Sequence, residues 1–425
     1  GLSFFALIYL AHFILQSIKK IKTNREKFNF VELHSYHSFF LLLMDKEKFL
    51  FIDIGTEDLK TLIGVSQSKT ITLTPHSSFQ SGGFKNGKFD NVEEFENKLE
   101  ELLKSEFFNN FTNVVLCLGG LDIHSVKIAE DIIVDTVIKA QDFEKIINNY
   151  LVSEKISDYD YLNLYNPRFF IDNIEVFNNP LLEKGNKLRV EGILFLINSK
   201  MNQVISNIRS KYGAKNFFAI PNALVSYEIF KKYEYFENTA IIDIGAGTTD
   251  ICLIKDNKFH KGFSLNVGGD YITNDIMQNL ELDFTHAENL KKYFGKIDNK
   301  IKGQGVVINC SKDENPKNIH YDFIYELVDC RVNDITEFIK NSVEQQFKGV
   351  LNNIFLLGDS VLLYNFEEKL KVSFNLPMKC GNIKELPNIS VNLDILGLDF
   401  RVNNDSDNSK EKQSLEPKGF KSKIK

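Results

Sequence analysis

The chain has 425 residues, of which 43% are hydrophobic and 25% charged, and its formal net charge is −6 at pH 7. This length allows two sizeable lobes with separate cores, and the composition is that of a soluble globular protein. The acidic balance and the lack of a basic patch interleaved with aromatic residues argue against a nucleic-acid partner. Five scattered cysteines predict free thiols in a reducing cytoplasm, and the eight histidines show no spacing typical of a transition-metal site.

The first 43 residues differ from the rest. Residues 2–15 are almost wholly apolar, and a Lys-Lys-Ile-Lys stretch follows at 19–22. The apolar run is short for a membrane-spanning helix, which needs roughly 20 residues. One interpretation is an anchor whose basic flank lies in the cytoplasm. The other, which we favour, is a gene start extended too far upstream, because Met44 lies just before the first predicted strand.

Two distant segments repeat one pattern: Phe-Ile-Asp-Ile-Gly-Thr at 51–56 and Ile-Ile-Asp-Ile-Gly-Ala-Gly-Thr-Thr-Asp at 241–250. An apolar run ends in Asp, glycine and hydroxyl residues follow, and then a second alternating apolar stretch begins. This pattern predicts a strand, a tight turn and another strand. Its repetition indicates two related lobes that face one ligand.

The residue types of these turns suit phosphate binding. Glycines let backbone N–H groups approach phosphate oxygens, threonine hydroxyls add donors, and an Asp at a strand end can hold the water shell of Mg²⁺. The candidate residues are Asp53, Gly55 and Thr56 in the first segment and Asp243, Gly245, Gly247, Thr248, Thr249 and Asp250 in the second. We assign Mg²⁺ to Asp53 and Asp243. The first segment alone would suit an ordinary hairpin beside a buried Asp, whereas the second favours a nucleotide.

These segments resemble the two phosphate loops of the actin, Hsp70 and sugar-kinase superfamily. Further motifs follow in the superfamily's order: a glycine pair that starts a helix, an Ala-Glu-x-x-Lys segment near the ribose and base, and an adenosine loop. Here they place the remaining candidates at Gly268, Gly269, Glu288, Lys291, Gly358, Asp359 and Ser360. The resemblance implies an α/β actin-like fold of two lobes, with duplicated RNase H-like cores and ATP and Mg²⁺ between them.

The block 126–212 is expected to be an α+β insertion, with strands at 126–137, 169–176 and 187–197 and helices at 142–150 and 201–212. The Phe-Ile-Asp-x-Ile, Asn-Pro and Gly spacing of 170–190 resembles FtsA, the bacterial actin homologue of cell division. So does the Pro-Asn-Ala-Leu-Val-Ser-Tyr segment at 221–227. The resemblance covers about residues 47–400, and it implies that the insertion is subdomain 1C.

The resemblance divides the chain into eight parts. These are an N-terminal extension (1–43), the first part of subdomain 1A (44–125), 1C (126–212), the return of 1A (213–238), the first part of 2A (239–272), 2B (273–349), the return of 2A (350–400) and a polar linker with the start of an amphipathic helix (401–425). In that last part Phe420, Lys421, Lys423 and Ile424 are the expected membrane-binding residues.

The implied function is that of a membrane tether. FtsA-like proteins bind ATP, polymerise into actin-like filaments at the cytoplasmic face of the inner membrane, and anchor FtsZ at the division site together with other divisome proteins. The FtsZ C-terminal peptide would bind subdomain 2B. The expected enzymatic activity is at most a weak ATPase, and no catalytic residue is assigned.

Two departures from the family pattern bear on nucleotide binding. Glu57 and Asp58 stand where FtsA has a hydroxyl residue and a Lys, and Asp359 replaces a second glycine. Carboxylates near a triphosphate repel it unless Mg²⁺ or Lys60 compensates. Two alternative functions stay open: a PilM-like adaptor of type IV pilus assembly, and a superfamily kinase or chaperone-type ATPase.

Overall fold

The structure is a computed structural model that describes residues 47–67, 70–104, 111, 113–177, 179–212, 217–231, 237–294, 302–311, 316–363, 366–380 and 390–392. The predicted extension at 1–43 and the membrane-binding tail at 401–425 lie outside the described residues. In the described part, no helix has both the length and the apolar character needed to cross a membrane.

The described strands are β1 (Lys48–Ile54), β2 (Asp58–Gln67), β3 (Thr70–Gln80), β4 (Phe84–Lys85), β5 (Lys88–Phe89), β6 (Asn113–Leu118), β7 (Ile123–Ile133), β8 (Tyr159–Ile171), β9 (Ile174–Val176), β10 (Lys187–Asn198), β11 (Phe217–Pro221), β12 (Thr239–Ile244), β13 (Thr249–Lys255), β14 (Lys258–Leu265), β15 (Val307–Ser311), β16 (Pro316–His320), β17 (Asn353–Leu357), β18 (Met378–Cys380) and β19 (Ser390–Asn392). The described helices are α1 (Val92–Lys104), α2 (Ala140–Ser153), α3 (Ser199–Tyr212), α4 (Asn222–Phe230), α5 (Gly269–Leu280), α6 (Phe284–Phe294), α7 (Tyr321–Gln346) and α8 (Phe366–Phe374).

Two of the sheets share one topology. The first sheet has the order β11-β6-β1-β2-β3-β19, and the second has the order β14-β13-β12-β17-β18. In each sheet the central strand, β1 or β12, pairs antiparallel with the strand that follows it and parallel with its other neighbour, β6 or β17. The repeated sequence segments therefore lie at the centres of two equivalent sheets, which is the duplication that the repetition predicted.

Each lobe buries its central strand because that strand is apolar on both faces. Four consecutive residues of β1, 49–52, are at most 1% exposed, and Ile241 and Ile242 of β12 are equally buried. Helix α1 adds Phe95, Leu99 and Leu102 to the first core, and this spacing of four and three places them on one helical face. The ends of the central strands, where the candidate aspartates lie, are thus held by a rigid core.

A third sheet, of order β7-β10-β8-β9, comes from the chain between β6 and β11. The single strand predicted at 169–176 was wrong: β8 turns into β9 at Asp172 and Asn173, which have φ values of 49° and 69°. Asp and Asn tolerate this left-handed conformation better than other side chains, so the apolar alternation continues across a turn. Strand β8 also begins at Tyr159, before the predicted start, and β7 ends at Ile133 rather than at 137.

The third sheet is fastened to the first lobe by a buried polar contact. The hydroxyl of Tyr165 on β8 donates a hydrogen bond of 2.6 Å to the carboxylate of Glu228 on α4, and Lys231 lies 2.6 Å from the same oxygen. Glu228 is fully buried, so its side-chain oxygens need these partners in place of water. The boundaries given to subdomains 1A, 1C, 2A and 2B remain predictions.

We expect Tyr165→Phe to lower the free energy of unfolding by about 1–3 kcal/mol, because a buried carboxylate loses a donor. Urea unfolding of the variant and of the unchanged protein measures this difference. The matched control is Tyr150→Phe on α2, away from this junction, which we expect to change stability by less than about 0.5 kcal/mol. Equal effects of the two substitutions would contradict the assignment.

Candidate functional site

The two repeated segments form hairpins with the same turn. The amide of Gly55 donates to the carbonyl of Asp58 at 3.0 Å, and the amide of Gly245 donates to the carbonyl of Thr248 at 2.9 Å. In both hairpins the Asp before the turn is the second-last residue of its strand. The local sequence therefore positions both candidate Mg²⁺ ligands in the same way.

The two turns lie close together because glycines replace side chains at the points of contact. A Cβ atom on Gly247 would lie 2.7 Å from Oγ1 of Thr56 and 2.5 Å from Oδ1 of Asn86. A Cβ atom on Gly120 would lie 2.4 Å from the Cα atom of Gly87. Since real side chains do not tolerate such distances, Gly247 lets the backbones of the two lobes meet around one cleft, while Gly87 and Gly120 let two segments of the first lobe approach each other.

Three aspartates share the base of this cleft. The Asn222 side chain at the start of α4 donates to Asp53 at 3.1 Å and to Asp250 at 3.3 Å, and the amide of Gly120 donates to Asp250 at 3.2 Å. Burial raises the pKa of Asp53 and of Asp250. Burial, with the neighbouring charges of Asp250 and Asp53, raises the pKa of Asp243 to about 7. Nearby positive charge therefore does not fully balance the three carboxylates.

Lys60 is the cation beside these aspartates. It is the cross-strand partner of Asp53, and its ammonium lies 3.4 Å from Oδ2 of Asp359. Burial lowers the pKa of Lys60, but the charges of Asp359, Asp53 and Asp243 outweigh it, so the net change is upward. The positive charge of Lys60 thus balances the strand-end aspartates rather than Glu57 and Asp58.

The donor chemistry of this group fits the Mg²⁺ that the fold implies. Mg²⁺ prefers oxygen ligands and usually keeps several of its waters. Asp53 and Asp243 offer carboxylate oxygens, and the raised pKa of each shows that an added cation would be stabilising there. These two residues would hold the ion and its water shell.

The glycine pair lies against the second hairpin turn. The amide of Gly269 donates to the carbonyl of Gly245 at 3.0 Å, and the amide of Asp270 donates to the carbonyl of Ala246 at 2.8 Å. A Cβ atom on Gly268 would lie 2.4 Å from the oxygen of Ala246, so a glycine is required there. The first turn of α5 is thereby fixed beside the predicted phosphate loop.

Glu288 and Lys291 on α6 are brought to the same region. Glu288 accepts a hydrogen bond of 2.5 Å from Thr273, and Lys291 and Lys292 approach it at 2.6 and 3.1 Å. Burial raises the pKa of Glu288, but these donors outweigh it, so the net change is downward. Lys291 also donates to the carbonyl of Gly269 at 3.2 Å, which joins this cluster to the glycine pair.

The segment after β17 completes the group of candidates. Gly358 has a φ of 92°, and a Cβ atom there would lie 2.2 Å from the carbonyl oxygen of Ile244. The hydroxyl of Ser360 donates to the carbonyl of Gly245 at 3.0 Å. The side chain of Asp359 is 82% exposed and reaches Lys60. This segment therefore follows the second hairpin turn closely.

Two predicted site residues, Thr249 and Asp250, already have hydrogen-bond partners within the fold. The Thr249 hydroxyl is buried and donates to the carbonyl of Val267 at 2.7 Å. Asp250 accepts hydrogen bonds from Ser264, Gly120 and Asn222. Asn222 and Ser264, which were not predicted as site residues, could have been found only from their position opposite these turns. The remaining candidate residues lie around one cleft. They come from the two hairpins, the glycine pair, α6 and the 358–360 segment.

Comparisons with known proteins agree with the motifs. The model of the family described as Cell division protein FtsA matches residues 240–395. A protein of that name from Streptococcus pneumoniae serotype 2 is 22% identical over 347 residues, which are 78% of this chain and 74% of the relative. One from Pseudomonas aeruginosa is 22% identical over 349 residues, 78% of this chain and 82% of the relative.

The resemblance to FtsA is confirmed. A solved structure with the same fold is a chain of the PilM–PilN type IV pilus biogenesis complex, with a TM-score of 0.51 and 16% identity over 78% of this chain and 88% of that chain. At this identity the similarity concerns the fold alone, and it confirms the actin-like two-lobe class. Both relatives named above carry the name Cell division protein FtsA and match 78% of this chain.

The raised pKa of Asp243 makes stability depend on pH. In the unfolded chain this carboxyl ionises near 3.8, whereas in the fold its pKa is about 7. The folded state therefore binds more protons between these values, and stability falls as the pH rises through them. We expect Asp243→Asn to remove this penalty and to raise the free energy of unfolding at pH 8 by at least about 1.4 kcal/mol, the equivalent of one pKa unit.

At pH 4 we expect a much smaller gain, because the folded carboxyl is protonated and the unfolded one is only partly ionised. Urea unfolding in EDTA without nucleotide measures both values. The control is Asp256→Asn in the turn between β13 and β14, whose side chain is exposed. A gain of the same size at both pH values would refute the electrostatic explanation.

Proposed function

We propose that this chain binds Mg-ATP in the cleft between its lobes and acts as an actin-like adaptor of cell division. The observation that carries the proposal is the meeting of two equivalent glycine turns, each preceded by a half-buried Asp, at one cleft. The amides of such turns point towards phosphate oxygens, and helix α5 adds the positive end of its dipole nearby. Mg²⁺ would offset the phosphate charge, while Asp53 and Asp243 hold it in place.

The remaining candidates suit the nucleoside. Glu288 and Lys291 lie together beside Gly269, and a Cβ atom on this glycine would lie 2.5 Å from Oγ of Ser360 and 3.3 Å from Nζ of Lys291. A carboxylate and an ammonium group at this point suit the hydroxyl groups of a ribose. We assign no catalytic base, and the proposed turnover is at most weak.

The proposed partners follow from the FtsA relatives. The chain would polymerise, bind FtsZ through the FtsZ C-terminal peptide, and hold FtsZ to the cytoplasmic face of the inner membrane at the division site. The lipid contact is assigned to the tail at 401–425. Other divisome proteins would complete the assembly.

The peptide site is assigned to residues 273–349, and the long helix α7 offers a surface for it. Phe323 and Phe338 on α7 are 45% and 50% exposed. Exposed aromatic side chains commonly anchor peptide partners, because they bury a large area at little entropic cost. The bidentate contact of Arg331 with Asp275 joins α7 to α5. This surface of α7 is therefore held in place against the helix that begins beside the predicted phosphate loop.

The first-loop carboxylates should weaken nucleotide binding. We expect Asp58→Lys, which places the family's usual cation after the turn, to raise ATP affinity several-fold, since two opposite unit charges at 4 Å gain about 1 kcal/mol even in water. Titration with a fluorescent ATP analogue in Mg²⁺ measures the change. Glu101→Lys at the exposed end of α1 makes the same charge reversal away from the cleft and should leave affinity unchanged. Unchanged affinity in both variants would count against phosphate binding at this turn.

The adaptor role is tested by fluorescence anisotropy of a labelled FtsZ C-terminal peptide titrated with the protein. We expect saturable binding, and Phe338→Ser should weaken it at least fivefold, because removing an aromatic anchor commonly costs about 1 kcal/mol or more. Val372→Ser is the control, since Val372 is also exposed but lies on α8 outside 273–349. A folded sample that binds a PilN peptide and not the FtsZ peptide would replace this proposal with the pilus adaptor.

A further inference from the structure

Three carboxylates meet at one side of the cleft, away from the strand-end aspartates. Glu57 comes from the first hairpin turn, Asp270 from the first turn of α5 and Glu288 from α6. One carboxylate oxygen of each lies within 4.8 Å of an oxygen of both others. They belong to different elements, and the first lobe supplies one of them, so the cluster depends on the tertiary fold.

An unpartnered buried oxygen points to a ligand at this cluster. Asp270 is 6% exposed, and among the described residues its Oδ1 atom has no hydrogen-bond partner. A buried carboxylate oxygen without a donor is destabilising by 1–3 kcal/mol or more, in order of magnitude. A cation that coordinates this oxygen would remove the penalty, whereas a neutral hydrogen-bond acceptor would not.

The spacing of the cluster suits a hard divalent ion. Calcium coordinates oxygens at about 2.3–2.6 Å, so two of its ligands are at most roughly 5 Å apart, and adjacent ones are closer. The three oxygens lie within 4.8 Å of one another, which is below this upper limit. Carboxylates in such a set are the ligands that calcium, magnesium and manganese prefer over softer donors.

Lys292 is the more exposed of the two lysines that balance the charge of the cluster. Its ammonium lies 3.1 Å from Glu288 and 3.8 Å from Glu57, and its side chain is 58% exposed. An exposed lysine can turn away into solvent, in contrast to Lys291, which is 7% exposed. An incoming divalent ion would therefore compete with Lys292 and leave the pair of Lys291 and Glu288 in place.

We propose that Glu57, Asp270 and Glu288 form a binding site for a divalent cation, separate from the Mg²⁺ assigned to Asp53 and Asp243. The ion joins the first hairpin turn to α5 and α6 and so ties the two lobes together. The site gives Glu57 a role, although the same residue was expected only to hinder nucleotide binding. Its three ligands all come from the chain, so it can be tested without nucleotide, although Glu288 is also assigned to the ribose of ATP.

The test measures Mn²⁺ binding to the full chain without nucleotide, and the electron paramagnetic resonance signal of free Mn²⁺ reports the binding. Metals are removed from the protein with EDTA beforehand. We expect saturable binding that Glu57→Gln and Asp270→Asn each weaken at least tenfold, since even the loss of an outer-sphere partner of a metal site commonly costs about 10–100-fold. Lys292→Met should tighten binding, because it removes the competing charge.

Two controls separate this site from general acidity. Asp58→Asn removes the same charge one residue from Glu57, and Asp256→Asn removes an exposed charge in the turn between β13 and β14; both should change Mn²⁺ affinity by less than threefold. Thermal unfolding confirms that each variant is folded. Absence of saturable binding, retention of affinity in Glu57→Gln or Asp270→Asn, or its loss in either control would overturn the proposal. ATP titration of the same variants reports separately on the proposed function.

Discussion

The close approach of two hairpin turns across one cleft is the constraint on which the rest of the site depends. Gly247 can face Thr56 only because it lacks a Cβ atom, and Gly268 can lie against Ala246 for the same reason. A side chain at Gly247 would separate the lobes and widen the cleft, and one at Gly268 would push the start of α5 away from the second hairpin turn. The buried central strands β1 and β12 provide the rigid support, since both turns extend directly from them.

The two hairpins have the same backbone but different charges, and this difference organises the cleft. Asp53 pairs across its hairpin with Lys60, whereas Asp243 pairs with a second carboxylate, Asp250. The second pair would be strongly repulsive if it faced no cation, because like charges directly opposite in a sheet destabilise it. Lys60 lies in the first lobe, and its positive charge acts on both Asp53 and Asp243. The charge balance of the second hairpin is therefore completed by the first.

The sequence predicted the parts of this arrangement that are local. An apolar run, an Asp and a glycine determine a hairpin within about ten residues, so both turns and their strand-end carboxylates were recognisable. The turn at Asp172 was missed, because apolar alternation continues through it and only the backbone conformation reveals it. The choice of partner for Lys60 was also missed. Lys60 and Asp359 are 299 positions apart, and no local pattern encodes such a pair.

The same reasoning changes the interpretation of Glu57. By equivalence of the two turns it occupies the position of Gly247, where the second hairpin needs a bare backbone to approach Thr56. In the first hairpin the side chain instead reaches towards Lys292 on α6. A carboxylate is compatible with this position because lysine is close enough to balance it, and because Glu288 and Asp270 are present to share a cation. Glu57, which departs from the family pattern, thus has its negative charge balanced by residues of the second lobe and not by the neighbouring Lys60.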